Sequence, residues 1–475
     1  MARYLLKRLL LFVPTLFVVS LVAFFLSRTA PGDPVLQYLT NDPFGTLSSP
    51  ADLYNAERVC RQTASLLGRD KPLFYFGLRP KSYPDTLYKV TIGFRRKALE
   101  QLIEQYGNWP LIQEYYGKVR AMDLALLSLP DSLSAAAASV KPTLRELYTI
   151  TTEPAVKSRL DKLEGELATR PSLQARLSEV FQSLRNAHAA MLAGADHSAR
   201  WVPAFHWHGL DNQYHHWLSG FLSGDFGISL YERMPVARKV LPALRWTLVL
   251  NILALALAFG LSIPIGVLSA TRKGKAFDRA SSLVLFMLYS LPAFWVGTLL
   301  LVFFATPTYG MKLFPGPGLG AVQTGAGFWE QLGVALPHLI LPVLCIAYPA
   351  LAFISRQVRG SMVEALKQDF VRTARAKGLP ERTVVWRHAF RNALFPIITM
   401  FASVFPASIA GSVAIEFIFN IPGMGWLTLQ AILQQDWPVV FVVLMLGAVL
   451  TVIGILVADL LYALADPRVK LGKGL

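Results

Sequence analysis

The chain has 475 residues, of which 53% belong to the hydrophobic set and only 16% are charged, and its mean hydropathy is +0.42. Soluble domains carry about a quarter of charged residues, so the composition argues against a purely water-soluble protein and excludes a disordered chain, a collagen and a disulfide scaffold. The 46 Lys and Arg residues outnumber the 30 Asp and Glu residues, giving a net charge of +16. In a soluble protein this excess would suggest nucleic acid, whereas in a membrane protein it raises the question of which side the cations occupy.

Six charge-free runs are long enough, or nearly so, to cross a membrane, which takes about 20 predominantly apolar residues. In chain order they are 9–27, 246–271, 280–311, 331–355, 392–415 and 437–458. We therefore predict an all-α membrane protein with six transmembrane helices. The first run also fits a secretory signal peptide, but residues 27–34 offer no small-x-small cleavage site and the run is longer than a typical signal core, so we expect an uncleaved helix.

Between the first two runs lies an insertion that we place on the outer face, with domain bounds 41–205. Its 21 basic and 17 acidic residues between positions 41 and 200 nearly balance, as in an ordinary soluble domain. Apolar residues recur at helical spacing, which predicts a small all-α domain of helical hairpins. The predicted faces are Leu99, Leu102, Ile103 and Tyr106, then Val156, Leu160, Leu163 and Leu167, then Leu173, Leu177, Val180, Leu184 and Met191. Such hairpins could form an armadillo-like stack that binds a partner, or a decorating domain that packs on the membrane part of its own chain or on a delivery protein.

Four histidines are crowded into the segment that follows the insertion. They are His206, His208, His215 and His216, interleaved with Trp201, Trp207, Tyr214 and Trp217. The histidines could bind zinc or nickel, but aromatic side chains favour the membrane interface, so we predict an interfacial segment over 206–243 and no metal site. The two cysteines, Cys60 and Cys345, lie in the insertion and in the fourth run, and we expect neither a disulfide nor cysteine chemistry.

The third run is too long for one perpendicular span and contains Pro292. It predicts a helix over about 280–305, kinked at this proline, followed by a loop. The runs contain no charge, which argues against a proton- or sodium-coupled carrier, and their polar groups, such as Asn251 and His338, are modest. No P-loop sequence occurs in the chain, so we expect that it does not hydrolyse ATP itself.

The distribution of Lys and Arg in the short loops predicts the orientation, because cations stay on the cytoplasmic side. The basic segments are the amino terminus (Arg3, Lys7, Arg8), the second loop (Arg272, Lys273, Lys275, Arg279), the fourth loop (Arg356, Arg359, Lys367, Arg372, Arg375, Lys377, Arg382, Arg387, Arg391) and the tail (Arg468, Lys470, Lys473). The loop after the third run has only Lys312 as a basic residue, and the loop 416–436 has none. Both termini should be cytoplasmic, and the net charge then reflects the inner membrane surface and its lipids rather than nucleic acid.

The fourth loop, 356–391, predicts a short helix, a glycine turn and a second helix. Val363, Leu366, Phe370 and Ala374 are spaced to form one helical face. Gly378 can adopt the left-handed conformation at a helix end, and Pro380 suits the start of the next helix. A basic loop of this kind could simply rest on anionic lipid headgroups.

Eight residues of this loop resemble the coupling loop by which ABC importer permeases for oligopeptides and dipeptides, with nickel and glutathione relatives, dock on their ATPase subunits. They are Arg372, Thr373, Ala374, Arg375, Ala376, Lys377, Gly378 and Leu379. The broader importer pattern is Glu-Ala-Ala-x-x-x-Gly followed by Leu-Pro. Set on Gly378, it retains Ala374 but has Arg372 and Thr373 in place of Glu and Ala, and Phe395-Pro396 in place of Leu-Pro. Further stretches resemble the family at 30–34, 224–229, 290–295, 419–425 and 459–468.

The resemblance implies a type I ABC importer permease in the bacterial inner membrane that carries peptides. Segment 1–40 would hold the first helix, and 244–475 the core with the coupling loop. It also implies a second homologous permease subunit, two cytoplasmic ATPase subunits that bind ATP and Mg²⁺, and an extracytoplasmic substrate-binding protein, with no cofactor or catalytic residue in this chain. Nickel, glutathione or another small solute remains open as substrate. A different class of function, a membrane-anchored receptor or scaffold acting through its outer α-domain, also remains open.

Overall fold

A computed structural model of the chain describes residues 2–40, 53–307, 310–321, 325, 327–409 and 412–465. The predicted start of the insertion, 41–52, and the basic tail with Arg468, Lys470 and Lys473 lie outside the described residues. The chain divides into two compact units, one formed by its two ends up to Ala30 and from Asp225 onward, the other by Pro31–Gly224. The first unit begins with helix α1 (Ala2–Thr29).

The unit Pro31–Gly224 is built of helices around a large hydrophobic cluster, with a smaller cluster formed by Val35, Leu39, Cys60 and Ala64. Its elements are α2 (Pro34–Thr40), α3 (Leu53–Leu66), β1 (Phe76–Pro80), α4 (Gly93–Tyr106), α5 (Trp109–Leu127), α6 (Asp131–Glu146), α7 (Glu153–Ala168), α8 (Pro171–Ala193), β2 (Pro203–Trp207) and α9 (Gln213–Ser223), with 3₁₀ turns Leu87–Lys89 and Ser198–Arg200. Helices α5 and α8 pack together, and α6 and α7 pack beside them. The predicted apolar faces of α4, α7 and α8 are confirmed, since all their residues are buried except the half-buried Val180.

The prediction that this insertion is all helical is wrong in one respect. Strands β1 and β2 form a two-stranded antiparallel sheet, in which Phe76 pairs with Trp207 and Pro80 with Pro203. The two strands are far apart in the sequence, so there is no hairpin turn from which they could be predicted. Five-residue strands also give too short an alternation to be read by periodicity.

The remaining helices belong to the first unit. They are α10 (Val236–Thr271), α11 (Ala276–Ser290), α12 (Ala293–Ala305), α13 (Phe328–Ala365), α14 (Asp369–Ala376), α15 (Glu381–Thr383), a π-helical turn (Val384–Ala389), α16 (Phe390–Ile409), α17 (Val413–Ile418), α18 (Met424–Leu433) and α19 (Trp437–Ala465). Helix α10 packs along α13, α16 packs along α19, and α19 contacts α1. A single hydrophobic cluster fills the space around α10, α13 and α16.

Helices α10 and α13 approach each other closely at Gly266. A Cβ placed on Gly266 would lie 2.7 Å from the Cβ of Val358 and 2.8 Å from the carbonyl oxygen of Ser355. One turn earlier on α10, the hydroxyl of Ser262 donates to the carbonyl oxygen of Leu351 at 3.0 Å. Small residues thus let the two backbones come together and pair polar groups inside the bundle.

By length and composition, four helical segments among the described residues are able to cross a membrane: Leu10–Thr29, Val236–Thr271, Phe328–Ala365 and Trp437–Leu461. The pair α11 and α12 passes the same criteria together but is bent by 93°. Counting that pair as one span gives five. Helix α16 covers most of the predicted fifth run, but it is not among these segments, so the predicted number of six stays a prediction.

The prediction of one helix over 280–305 with a kink is wrong, because α11 ends at Ser290 and a separate helix, α12, begins at Ala293. Leu291 is extended, with φ −87° and ψ 128°, and Pro292 caps α12. A proline disfavours the helical conformation in the residue before it. The phenolic hydroxyl of Tyr348 on α13 donates to the carbonyl oxygen of Leu291 at 2.7 Å and so satisfies a backbone group that the break exposes.

Candidate functional site

The candidate site is the segment that joins α13 to α16. Helix α13 continues past the predicted end of the fourth apolar run to Ala365, with Leu366 as its C-cap. Helix α14 begins only at Asp369. The predicted single face through Val363, Leu366, Phe370 and Ala374 is therefore wrong, since the first two residues belong to the end of α13 and Phe370 is exposed. The buried side of α14 consists of Val371 and Ala374.

A glycine turn ends α14, as predicted. Gly378 has φ 74°, the left-handed conformation that glycine adopts without the steric cost a Cβ would add. Its amide donates to the carbonyl oxygen of Arg375 at 2.9 Å. Pro380 is the residue before α15 and has φ −57°. A Cβ on Gly378 would meet nothing within 4 Å, so the requirement for glycine comes from the backbone conformation alone.

Two ion pairs hold the short helices of this turn. The guanidinium of Arg375 donates to both carboxylate oxygens of Glu381, at 2.6 and 3.2 Å. These hydrogen bonds lower the pKa of Glu381 below its usual range and raise the pKa of Arg375. Arg372 pairs with Asp369 at 3.4 Å, one turn earlier on α14. Both pairs are exposed, so each stabilises the fold only modestly.

The eight predicted coupling residues lie together, and seven of them face outward. Arg372, Thr373, Arg375, Ala376, Lys377, Gly378 and Leu379 are exposed. Ala374 is buried in the cluster that also contains Val371 and Val384. The structure thus presents a compact surface of two arginines and a lysine around a glycine turn, with Ala374 as an inward support.

The turn rests on a rigid base. The π-helical segment Val384–Ala389 turns Val384, Val385 and Ala389 into the main hydrophobic cluster. The same cluster contains Met362 and Ala365 from the end of α13. Because α14, the π-helical turn and α13 share this cluster, the exposed surface is packed against the end of α13.

A buried ion pair at this end of the unit was not predicted. Arg359 on α13 donates to both oxygens of Asp278 on α11, at 2.5 and 2.8 Å, and Asp278 is almost completely buried. The amide of Gly274 donates to the same carboxylate at 2.9 Å. This ion pair connects the second loop to α13 near the candidate site. The available signal was that Asp278 is the one acidic residue among the basic residues of that loop.

Two further buried carboxylates lie in the segment 416–436 and were also missed. Glu416 accepts hydrogen bonds from the hydroxyl of Thr247 and the amide of Trp426, both at 2.9 Å. Asp436 accepts from the hydroxyl of Ser229 at 2.5 Å and from the amide of Leu230 at 3.0 Å. Both carboxylates are fully buried. Their signal was their position at the two ends of a stretch that lacks basic residues.

His215 and His216 have separate partners. His216 and Lys71 contact the carboxylate of Asp211 at 2.8 and 2.5 Å, and these hydrogen bonds lower the pKa of Asp211. The ring of His215 lies 3.2 Å from the hydroxyl of Tyr75. Among the described residues, no group of three or more His, Cys, Asp or Glu side chains is placed to hold a metal ion.

The predicted interfacial segment 206–243 spans the boundary between the two units. Tyr214, predicted as an interfacial aromatic residue, is instead fully buried, with its ring 5.2 Å from that of Phe74. The start of α9 bonds to the stretch 72–75, since the amide of Tyr214 donates to the carbonyl oxygen of Leu73 at 3.2 Å. This backbone contact turns the Tyr214 ring inward.

The long apolar helices define a multi-pass membrane protein with an exposed basic turn after the end of α13. Residues 262–471 match the family model described as "Binding-protein-dependent transport system inner membrane component". The chain belongs to this family, whose members are membrane permease subunits of ABC transporters, and it is therefore a permease subunit and not itself an enzyme.

Relatives with assigned names resemble the chain over about half of its length. It is 38% identical over 259 residues to the oligopeptide transport system permease protein AppB of Bacillus subtilis. The matched residues cover 54% of this chain and 80% of the relative. It is 35% identical over 272 residues to the dipeptide transport system permease protein DppB of Escherichia coli K12, with the same shares covered. The di/tripeptide transport system permease protein DppB of Pseudomonas aeruginosa is 36% identical over 284 residues, which cover 56% of this chain and 84% of the relative.

Proposed function

We propose that this chain is one permease subunit of an ATP-driven importer of oligopeptides or dipeptides and forms half of its translocation pathway. The observation that carries the proposal is the exposed surface Arg372–Leu379, presented on a packed base at the end of α13. The names of the relatives, which all specify peptides, support this substrate class over nickel or glutathione.

In the proposed arrangement, α16 is the fifth of six spans and the bent pair α11 and α12 is the third. Segment 1–40 contains the first helix, 41–205 is an outer insertion domain, 206–243 contains the interfacial segment, and 244–475 is the permease core. Both termini and the loop 356–391 face the cytoplasm of a bacterium. The excess of Lys and Arg in the segments assigned to that side supports this orientation.

The proposed partners are a second homologous permease subunit, two cytoplasmic ATPase subunits and an extracytoplasmic substrate-binding protein. ATP and Mg²⁺ bind to the ATPase subunits. Exposed Arg372, Arg375 and Lys377 contact an ATPase subunit, and Gly378 sets the angle at which α14 is presented. A membrane helix joined to such a loop moves as a rigid body when the ATPase pair closes.

Helix α13 is suited to carry this movement. Its 38 residues give a length of about 57 Å at 1.5 Å per residue, enough to extend from one side of a bilayer to the other and beyond. The close contact at Gly266 couples α13 to α10, and the ion pair of Arg359 with Asp278 couples it to α11. Movement of the docked turn therefore reaches three helices of the pathway.

The test is peptide uptake by proteoliposomes that contain this permease, its partner permease, the ATPase subunits and the binding protein. Gly378→Val strains the left-handed turn by about 1–2 kcal/mol and should reduce uptake roughly 5- to 30-fold while the subunits still assemble. Gly68→Val is the matched control, because Gly68 also follows a helix with a positive φ, 60°, and has open space around its Cβ position, but lies in the unit Pro31–Gly224. Normal uptake by the Gly378 variant, or equal losses in both variants, would contradict the assigned role of the turn.

A further inference from the structure

The sheet formed by β1 and β2 carries large apolar side chains on one exposed face. In the antiparallel register, Phe76 lies opposite Trp207 and Leu78 opposite Phe205. Alternate residues of a strand point to the same face, so these four side chains share one side of the sheet. Leu78 is 70% exposed, Phe205 64% and Trp207 67%. We call these four residues the aromatic sheet face.

This face is preformed rather than a loose cluster. The rings of Phe76 and Phe205 stack across the strands at 5.8 Å. Backbone hydrogen bonds continue at both ends of the sheet, from the amide of Lys81 to Val202 and from the amide of His208 to Tyr75, each at 2.8 Å. Large ordered apolar patches on a protein surface mark interaction sites.

The apolar exposure continues along the chain toward α10. Trp201, just before β2, is 85% exposed, and Leu210 and Leu222 after it are also strongly exposed. Gly224 ends the unit and α10 begins at Val236. At the other end, only residues 30–33 separate α1 from α2, a link that spans about 18 Å when fully extended. The unit is therefore tethered to membrane helices at both ends.

We propose that the aromatic sheet face lies in the headgroup region of the lipid bilayer in which α1 and α10 are embedded. Tryptophan and phenylalanine rings favour this region, since it accepts both their apolar surface and the indole N–H. The six residues on this side of the sheet, which include Pro80 and Pro203, carry no charge that would have to be dehydrated. Lipid contact would anchor the sheet to the membrane surface, and this inference goes beyond the proposed transport of peptides.

The experiment measures the surroundings of spin labels on the full chain in proteoliposomes of phosphatidylethanolamine and phosphatidylglycerol. After Cys60 and Cys345 are replaced by serine, single cysteines are introduced at Leu78 or Phe205 and labelled with a nitroxide. Arg79, the exposed neighbour on the opposite side of the sheet, is the matched control position. Oxygen concentrates in lipid and a nickel chelate in water, so the ratio of their collision rates reports lipid contact.

The expected result is an oxygen-to-nickel ratio at Leu78 and Phe205 at least tenfold higher than at Arg79. Similar ratios at the three positions would overturn the proposal. Labels at Leu78 and Phe205 that become shielded from both reagents only after the substrate-binding protein is added would assign the face to a protein partner. That result would also overturn the proposal. Spin–spin broadening that grows with the protein-to-lipid ratio would assign it to a second copy of the chain.

Leu78 and Phe205 lie on different strands and directly oppose each other, so each label repeats the test of the other if one variant fails to fold. The measurement requires neither ATPase subunits nor peptide. Its failure is therefore distinguishable from a failure of the proposed transport function.

Discussion

Replacing Thr247 by valine should test the buried network around Glu416. The hydroxyl of Thr247 donates to the carboxylate of Glu416 at 2.9 Å and accepts from the amide of Met424 at 2.7 Å. A second donor to the same carboxylate is the amide of Trp426. The network joins α10 to α17 and to the first turn of α18. Valine has almost the volume of threonine, so the substitution removes the hydroxyl without leaving a cavity.

The expected cost follows from two lost interactions. A hydrogen bond to a charged group contributes about 1.5–3 kcal/mol, and a buried amide left without its partner costs about 1–3 kcal/mol. The free energy of unfolding of Thr247→Val should therefore fall by roughly 3 kcal/mol or more. Thr247→Ser keeps the hydroxyl and should lose less than about 1 kcal/mol, mainly through one missing methyl group.

Reversible unfolding by SDS in mixed micelles measures these free energies. Thr428→Val on α18 is the matched control, because within the described part of the chain the hydroxyl of Thr428 bonds only the carbonyl oxygen of Met424 in its own helix, and the substitution should change stability by less than about 0.5 kcal/mol. A Thr247→Val protein within about 0.5 kcal/mol of wild type would refute the assignment of this network as a stabilising connection.

Three further changes probe the packing, the buried ion pair and the exposed turn. Gly266→Ala should cost about 1–3 kcal/mol of unfolding free energy through the steric clash with α13, whereas Gly260→Ala on the same helix meets nothing within 4 Å and should be neutral or slightly stabilising. Asp278→Asn should cost about 2 kcal/mol, and a double-mutant cycle with Arg359→Gln should return a coupling of at least about 1 kcal/mol; purely additive effects would contradict the pair. The ion pair with Arg375 lowers the folded-state pKa of Glu381. The contribution of this pair to the free energy of unfolding is therefore present above the ordinary glutamate pKa and is lost as the pH falls through the folded-state pKa. The difference in stability between wild type and Glu381→Gln should thus stay constant from about pH 8 to about pH 5 and shrink below about pH 4; a difference that already declines between pH 8 and pH 5 would argue against this ion pair.

The local features of the chain could be predicted from the sequence. The buried faces of α4, α7 and α8 follow from helical periodicity, and the left-handed turn at Gly378 follows from the Gly-Leu-Pro sequence. Each of these features depends on residues within one or two turns of helix, so the local pattern contains the necessary information.

Local prediction fails where residues that are distant in the sequence contact each other. The run of apolar residues around Pro292 is compatible with a kinked helix, but the helix ends before this proline, and Tyr348 on α13 satisfies the exposed carbonyl group of Leu291. The pairing of β1 with β2 likewise joins Phe76 to Trp207. Neither partner can be found by periodicity, since each lies in a distant part of the sequence.

The sequence by itself determined that the protein is a membrane protein with a mainly helical insertion after its first apolar run and a basic helix–turn–helix that resembles a coupling loop. Only the tertiary structure decided which charges are buried. Glu416 meets Thr247 across 169 positions of the chain, and Asp278 meets Arg359 across 81. A carboxylate beside an apolar run reads as a solvated loop residue until its donors are known, because burial of a charge is possible only where distant groups provide the hydrogen bonds.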